Sequence, residues 1–168
     1  GINPGRFGAG VTGIPFTDPI RLKKLGIENS FAQKPELSSV FIYDMIEACG
    51  GPSTFYQKYY ITSLSPLGFV KGGKNYNYYD DPQLSQRVRP FIISNIETQL
   101  KFGADTSKVF CLGQGKNFEY LSKLNDEYHW WERVIPLPHP RWVMQYRLKR
   151  KEEFIETYKD LLHAVENG

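Results

Sequence analysis

The sequence predicts an α/β protein, a three-layer α/β/α arrangement around a central, mostly parallel sheet of about four strands. Three observations carry this. Short β-rich runs alternate with stretches whose apolar residues recur at helical spacing, the pattern of parallel strands joined by crossover helices. The run Val109-Phe110-Cys111-Leu112 is apolar without alternation, as expected of a strand covered on both faces. Gly- and Pro-rich loops follow the β-rich runs, and in parallel sheets ligands sit outside the carboxyl ends of the strands.

The chain opens on a constrained stretch, with five glycines and two prolines in its first 16 residues. Gly supplies positive φ and backbone room, and Pro fixes φ and removes a donor, so a loop is expected there and neither a helix nor a central strand. Such a loop normally follows a strand. The expectation is therefore that the first strand, and with it an N-terminal segment, precedes residue 1. Residues 18–33 read as irregular, with a helical turn near 19–25. Pro35 then starts a helix carrying Leu37, Val40, Phe41 and Met45, and Gly50-Gly51 stops it. Residues 59–64 are β-rich and read as a strand, and residues 65–77 as the loop after it.

Residues 83–102 are helical, with Pro90 expected to split the helix and Gly103 to end it. After the strand at 109–112, Gly113-Gln114-Gly115 turns the chain into a helix holding Phe118, Leu121 and Leu124. Residues 132–137 form a further strand and 138–142 its loop. The last helix shows Phe154, Ile155, Tyr158, Leu161, Leu162 and Val165 on one stripe. Residues 1–168 read as a single domain without internal repeats.

Composition narrows the function classes. Hydrophobic residues make up 40% and charged residues 23% of the 168, ordinary for a globular protein. No run approaches the roughly 18 apolar residues of a membrane span, and no signal peptide is recognisable. The net charge of +3 permits a nucleic-acid partner without demanding one. Cys49 and Cys111 sit in apolar segments, which reads as a reducing compartment: the cytoplasm of a bacterium or the nucleus of a eukaryote. Three scattered histidines and the absence of CxxC or HExxH give no expectation of a metal or other cofactor.

Three phrases then stand out, in chain order. The first is Gly1-Ile2-Asn3-Pro4-Gly5-Arg6-Phe7-Gly8 with Thr12-Gly13-Ile14-Pro15-Phe16. The second is Ser65-Pro66-Leu67-Gly68-Phe69 with Gly73-Lys74-Asn75, and the third is Pro138-His139-Pro140. They resemble the GMNPGPFG…TGVPF, CPLxF…GRN and HPSP motifs of the single-strand-selective monofunctional branch of the uracil-DNA glycosylase superfamily. Two positions depart from that pattern: Arg6 stands in place of a Pro, and Arg141-Trp142 follow His139-Pro140 where the family has Ser-Pro-Arg. Ala9 stands where the family often has a larger residue, which implies a roomier pocket and a base range extending to oxidised uracils or deaminated purines.

The resemblance implies a monomeric DNA repair hydrolase acting on single- or double-stranded DNA that contains uracil or another deaminated base. It implies Asn3 and His139 as catalytic residues. Asn3 orients the attacking water, and His139, as neutral imidazole or imidazolium, stabilises charge growing on the base carbonyl. Asn75 reads the base edge with an amide that offers both donors and an acceptor. Phe16 stacks on the flipped base, Gly5 lets backbone approach it, and Phe69 joins the substrate site. Arg141 or Trp142 wedges into the duplex, while Arg147 and Lys149, in a basic run, grip phosphates. Two other readings stand beside this one. One is a module that binds damaged DNA without cutting. The other is a nucleotide-binding protein using Gly113-Gln114-Gly115-Lys116, a sequence that lacks the full phosphate-loop spacing.

Overall fold

The computed structural model describes residues 1–166, with side chains through residue 164. Val165, placed by the sequence on the last apolar stripe, lies outside the described side chains. Four elements precede any strand: α1 (Ala9–Thr12), α2 (Pro19–Lys24), α3 (Leu37–Ala48) and α4 (Gly51–Phe55). There follow the strands β1 (Phe69–Lys71) and β2 (Lys74–Tyr76), helix α5 (Pro82–Leu100), strand β3 (Lys108–Leu112) and helix α6 (Lys116–Tyr128). Strand β4 (Arg133–Leu137), helix α7 (Pro140–Tyr146), a 3₁₀ turn at Leu148–Arg150 and helix α8 (Lys151–Glu166) complete the chain.

The central strands β3 and β4 are parallel, in the register Val109↔Val134 and Leu112↔Leu137. Side chains alternate across this pair. Phe110, Leu112 and Leu137 pack with α3, α7 and α8, around Phe41, Ile42, Ile46, Val143 and Tyr158. Cys111 and Val134 pack on the opposite side with α5 and α6, around Ile92, Ile96, Leu121 and Leu124. Helices thus cover both faces, as the α/β/α expectation requires. Among the described residues no helix is long and apolar enough to cross a membrane.

Several local expectations are corrected. Among the described residues the parallel sheet has two strands, where about four were expected. Residues 59–64 are not a strand. Their end is tied to the opening of the chain by Leu64 N–H to Gly1 C=O (2.9 Å) and Ser65 N–H to Ile2 C=O (3.0 Å), a pairing too brief for a ladder. The loop expected at 65–77 contains an antiparallel hairpin, β1–β2, with Phe69 opposite Tyr76. Gly72 and Gly73 have φ of 57° and 70°, the positive values that a tight two-residue hairpin turn needs at both central positions.

The opening stretch does contain helix, the single turn α1, which Gly13 ends at φ 74° with its N–H on Ala9 C=O. Gly50-Gly51 ends α3 but also begins α4. Helix α5 runs through Pro90 unbroken. Pro90 and Gln86, whose carbonyl loses its donor, are both exposed, so water can take the bond. Finally, the loop after β4 stops at His139, and Arg141 and Trp142 lie on α7.

Candidate active site

Beyond the carboxyl end of β4 lies a cleft of about 340 Å³, walled by the opening loop, the start of α3, the hairpin and α7. It brings together Asn3, Gly5, Phe16, Asn75 and His139, with Arg141 and Trp142 at its α7 wall. Three loops distant in sequence therefore converge, as the sheet-edge rule anticipates.

His139 is the N-cap of α7, where Pro140 takes the first helical position. Its Nδ1 accepts the Arg141 backbone N–H at 3.1 Å. Burial holds the imidazole well below its ordinary range, at about 4, and the Arg141 cation acts in the same direction. The ring is therefore neutral near pH 7, with its proton on Nε2 as a donor. Gly113 closes in behind the ring: a Cβ there would stand 3.7 Å from His139 Cδ2.

Asn3 does not bond its own turn. Its Oδ1 accepts the Tyr78 backbone N–H at 3.3 Å and its Nδ2 donates to Tyr76 C=O at 3.4 Å. Both partners belong to the segment leaving the hairpin. Tyr78 is fully buried, and its hydroxyl meets Asn117 Oδ1 of α6 at 2.9 Å. The amide of Asn3 is thus referenced to the core, with one lone pair and one N–H still free.

Asn75 sits on β2. Its Oδ1 accepts the Arg6 backbone N–H at 3.0 Å, which fixes which end of the amide is which. The Arg6 guanidinium reaches the Gly73 carbonyl at the hairpin turn and lies 4.3 Å from the centre of the Phe7 ring. The opening loop and the hairpin are therefore strapped together at the residue that departs from the family pattern.

Phe16 holds φ 53°, an outlier conformation for a bulky residue. Its ring centre is 6.4 Å from that of His139, tilted by 52°. Burial against the α3 cluster holds it there.

Sequence reasoning missed Glu36. Glu36, the N-cap residue of α3, lines the cleft, and its backbone N–H donates to the buried Asp18 at 2.8 Å. Its carboxylate fills the space that a Cβ on Gly5 or Gly8 would need. Burial raises its pKa, the Asp18 carboxylate adds to this, and Arg141 opposes it. Nothing in a carboxylate next to Pro35 marked it as other than surface; its partners are the glycines of a loop some 30 residues away.

Other predicted residues fall elsewhere. Phe69 is not in the cleft: on β1 its side chain packs into the α5–α6 cluster. Arg147 and Lys149 lie outside it too. The Arg147 guanidinium stands 4.9 Å from the centre of the Trp142 ring, and Lys149 is exposed. Their neighbours Arg150 and Lys151 are engaged by Glu153 and Asp44 at 2.8 and 2.9 Å. Tyr146, 65% exposed, joins the cleft wall beside Trp142 and was not foreseen.

The sequence matches the family profile described as the Uracil DNA glycosylase superfamily over residues 1–162. Among solved structures it is similar to that of wild-type SMUG2 from Pedobacter heparinus, with a TM-score of 0.94 and 47% identity. That match covers 99% of this chain and 74% of the other. No match is found among curated protein sequences.

Proposed function

Because the chain belongs to the uracil-DNA glycosylase superfamily, we propose that it is a monofunctional DNA glycosylase that hydrolyses the N-glycosidic bond of uracil in DNA and leaves an abasic site. The observation that carries this reading is the pairing, in one cleft, of the clamped amide of Asn3 with the neutral, capped imidazole of His139. His139 has one ring nitrogen held by backbone and the other free, and Asn3 has both ends of its amide held by backbone, each able to make one bond more.

In this reading the uracil leaves the helix and enters the cleft, at a cost of a few kcal/mol unless it is mispaired or single-stranded. Phe16 stacks on its face and Asn75 meets its edge. As the bond between N1 and C1′ lengthens, the sugar gains oxocarbenium character and the base gains negative charge. His139 Nε2–H stabilises that charge at the carbonyl oxygen. Asn3 orients a water whose oxygen bonds to C1′. The water's proton leaves to solvent or to the departing base. Asn is too weak a base to deprotonate the water, which suits a bond that is largely broken before attack. The reaction so written needs neither metal nor cofactor.

Arg141, Trp142 and Tyr146 on α7 flank the cleft, and in this reading they fill the gap in the duplex while Arg147 and Lys149 grip phosphates. The small side chain of Ala9 in the cleft wall supports a base range that includes oxidised uracils and deaminated purines. The protein would act as a single-domain monomer.

The test is a panel of single- and double-stranded oligonucleotides bearing uracil, hypoxanthine, xanthine or mismatched thymine. The expected result is an alkali-labile abasic site from uracil, with no strand cleavage before alkali. Binding without abasic product under single-turnover conditions would replace this reading with that of a damage-binding module.

A further inference from the structure

Asn75 offers one kind of group more freely than the other. Its Oδ1 accepts the Arg6 N–H, which takes one of its two lone pairs and fixes the amide with its Nδ2 donors unbonded among the described residues. Nδ2 lies 3.5 Å from the point where a Cβ on Gly5 would stand, and Glu36 Oε1 lies 2.3 Å from the same point. A donor and an acceptor therefore flank one glycine on the cleft wall. The Glu36 carboxylate has no hydrogen bond or ion pair among the described residues, although a half-buried carboxylate ordinarily takes one. Asp18, the acid packed beside it, is occupied by Arg21 and by backbone N–H groups, and Arg141 stands across the cleft without pairing.

We infer that Asn75 Nδ2 and the Glu36 carboxylate together read the lactam edge of the flipped base, donating to its C=O and accepting from its adjacent N–H. This deepens the proposed function and rests on it. Uracil presents that edge as O4 and N3–H, and hypoxanthine and xanthine as O6 and N1–H. Cytosine and adenine present an amino group and a bare ring nitrogen, which oppose the pair at both positions. The pair thus sorts uracil from cytosine and hypoxanthine from adenine by one chemistry; it does not sort xanthine from guanine, which shares the O6 and N1–H edge. It does not sort uracil from thymine, whose lactam edges are the same. Gly5 and Gly8 acquire a specific reason: any side chain there would evict the acceptor.

The test compares binding of two oligonucleotides that cannot be cleaved. One carries 2′-fluoro-2′-deoxyuridine, and the other a tetrahydrofuran abasic analogue with no base to read. A hydrogen bond to a charged group corresponds to roughly 10- to 100-fold in affinity. Glu36→Ala is expected to lose that factor on the fluorouridine strand and to bind the abasic analogue like the wild type. Glu36→Gln, which keeps a carbonyl acceptor, is expected to recover part of the loss. Equal losses on both strands, or none on either, would overturn the inference. A wild-type protein that binds the two strands alike would instead remove the base-cleft reading itself.

Discussion

His139 Nδ1 accepts the backbone N–H of Arg141, so one side chain both caps α7 and presents a neutral Nε2–H to the cleft. The folded protein holds His139 at about 4, whereas an unfolded chain titrates it near 6.5. Between these values the unfolded state binds more protons. His139 therefore costs the fold nothing above about pH 6.5, and stability falls as pH drops from there, the loss being complete below about 4, by up to roughly 3 kcal/mol. Urea unfolding at pH 7 and pH 4.5 measures it. His139→Asn, which keeps a capping oxygen, should flatten the difference.

The same substitution should be costly in chemistry. Removing one preorganised donor typically lowers kcat by about 10²–10³-fold. Single-turnover excision of uracil by His139→Asn is expected to slow by that factor. The wild-type rate should show no inflection near pH 6.5 from this residue, because its proton is already off.

Asn3 is held by backbone on both sides of its amide, so its replacement removes an orienting group and leaves the Tyr78 N–H and the Tyr76 C=O without that partner. Asn3→Ala is expected to slow excision about 100-fold, the scale of a misplaced reactant. Binding of uncleavable fluorouridine DNA should stay within a few-fold of wild type, as a titration would show.

Arg6 has two separable bonds to the hairpin. Arg6→Ala removes the guanidinium contact with Gly73 but keeps the N–H on Asn75. Arg6→Pro removes both. Discrimination between uracil and cytosine, measured as the ratio of excision rates, should survive in Arg6→Ala and fall in Arg6→Pro, where the Asn75 amide is free to flip. Equal ratios in the two variants would refute the role of that N–H.

Arg147 and Lys149 are the members of the basic run not engaged by a carboxylate. If each neutralises one phosphate, each alanine substitution should reduce the slope of log K against log salt by about one. Arg150→Ala, whose cation is engaged by Glu153, should change it less.

What the sequence disclosed divides along physical lines. Strand β3, the turn at Gly113 and helix α6 were legible because an unbroken apolar run, glycines and helical spacing are local signals. Residues 59–64 have β-rich composition, but a strand exists only with a partner, and its partner here is two residues of the opening loop. The hairpin carried its signal in Gly72-Gly73, yet Lys71, Lys74 and Asn75 beside them hide the alternation. Asn3, Phe16, Asn75 and His139 could be placed in one cleft from the motifs and the sheet-edge rule. Glu36 could not, because its neighbourhood is made by tertiary packing against Gly5 and Gly8. Phe69 was misassigned for the converse reason: its motif is contiguous with the site's, but on β1 its side chain is directed into the core.

The hairpin β1–β2 pairs with no strand of the central sheet, yet it carries Asn75. Its place is set by ties to the opening loop and by Phe69, which packs into the α5–α6 cluster. In the proposed function the residue that meets the base therefore stands on an element outside the central sheet. On the proposed function, changes at a tie such as Arg6 would alter which bases are accepted without touching either core, so a change of substrate range would run through the loop and not through the sheet.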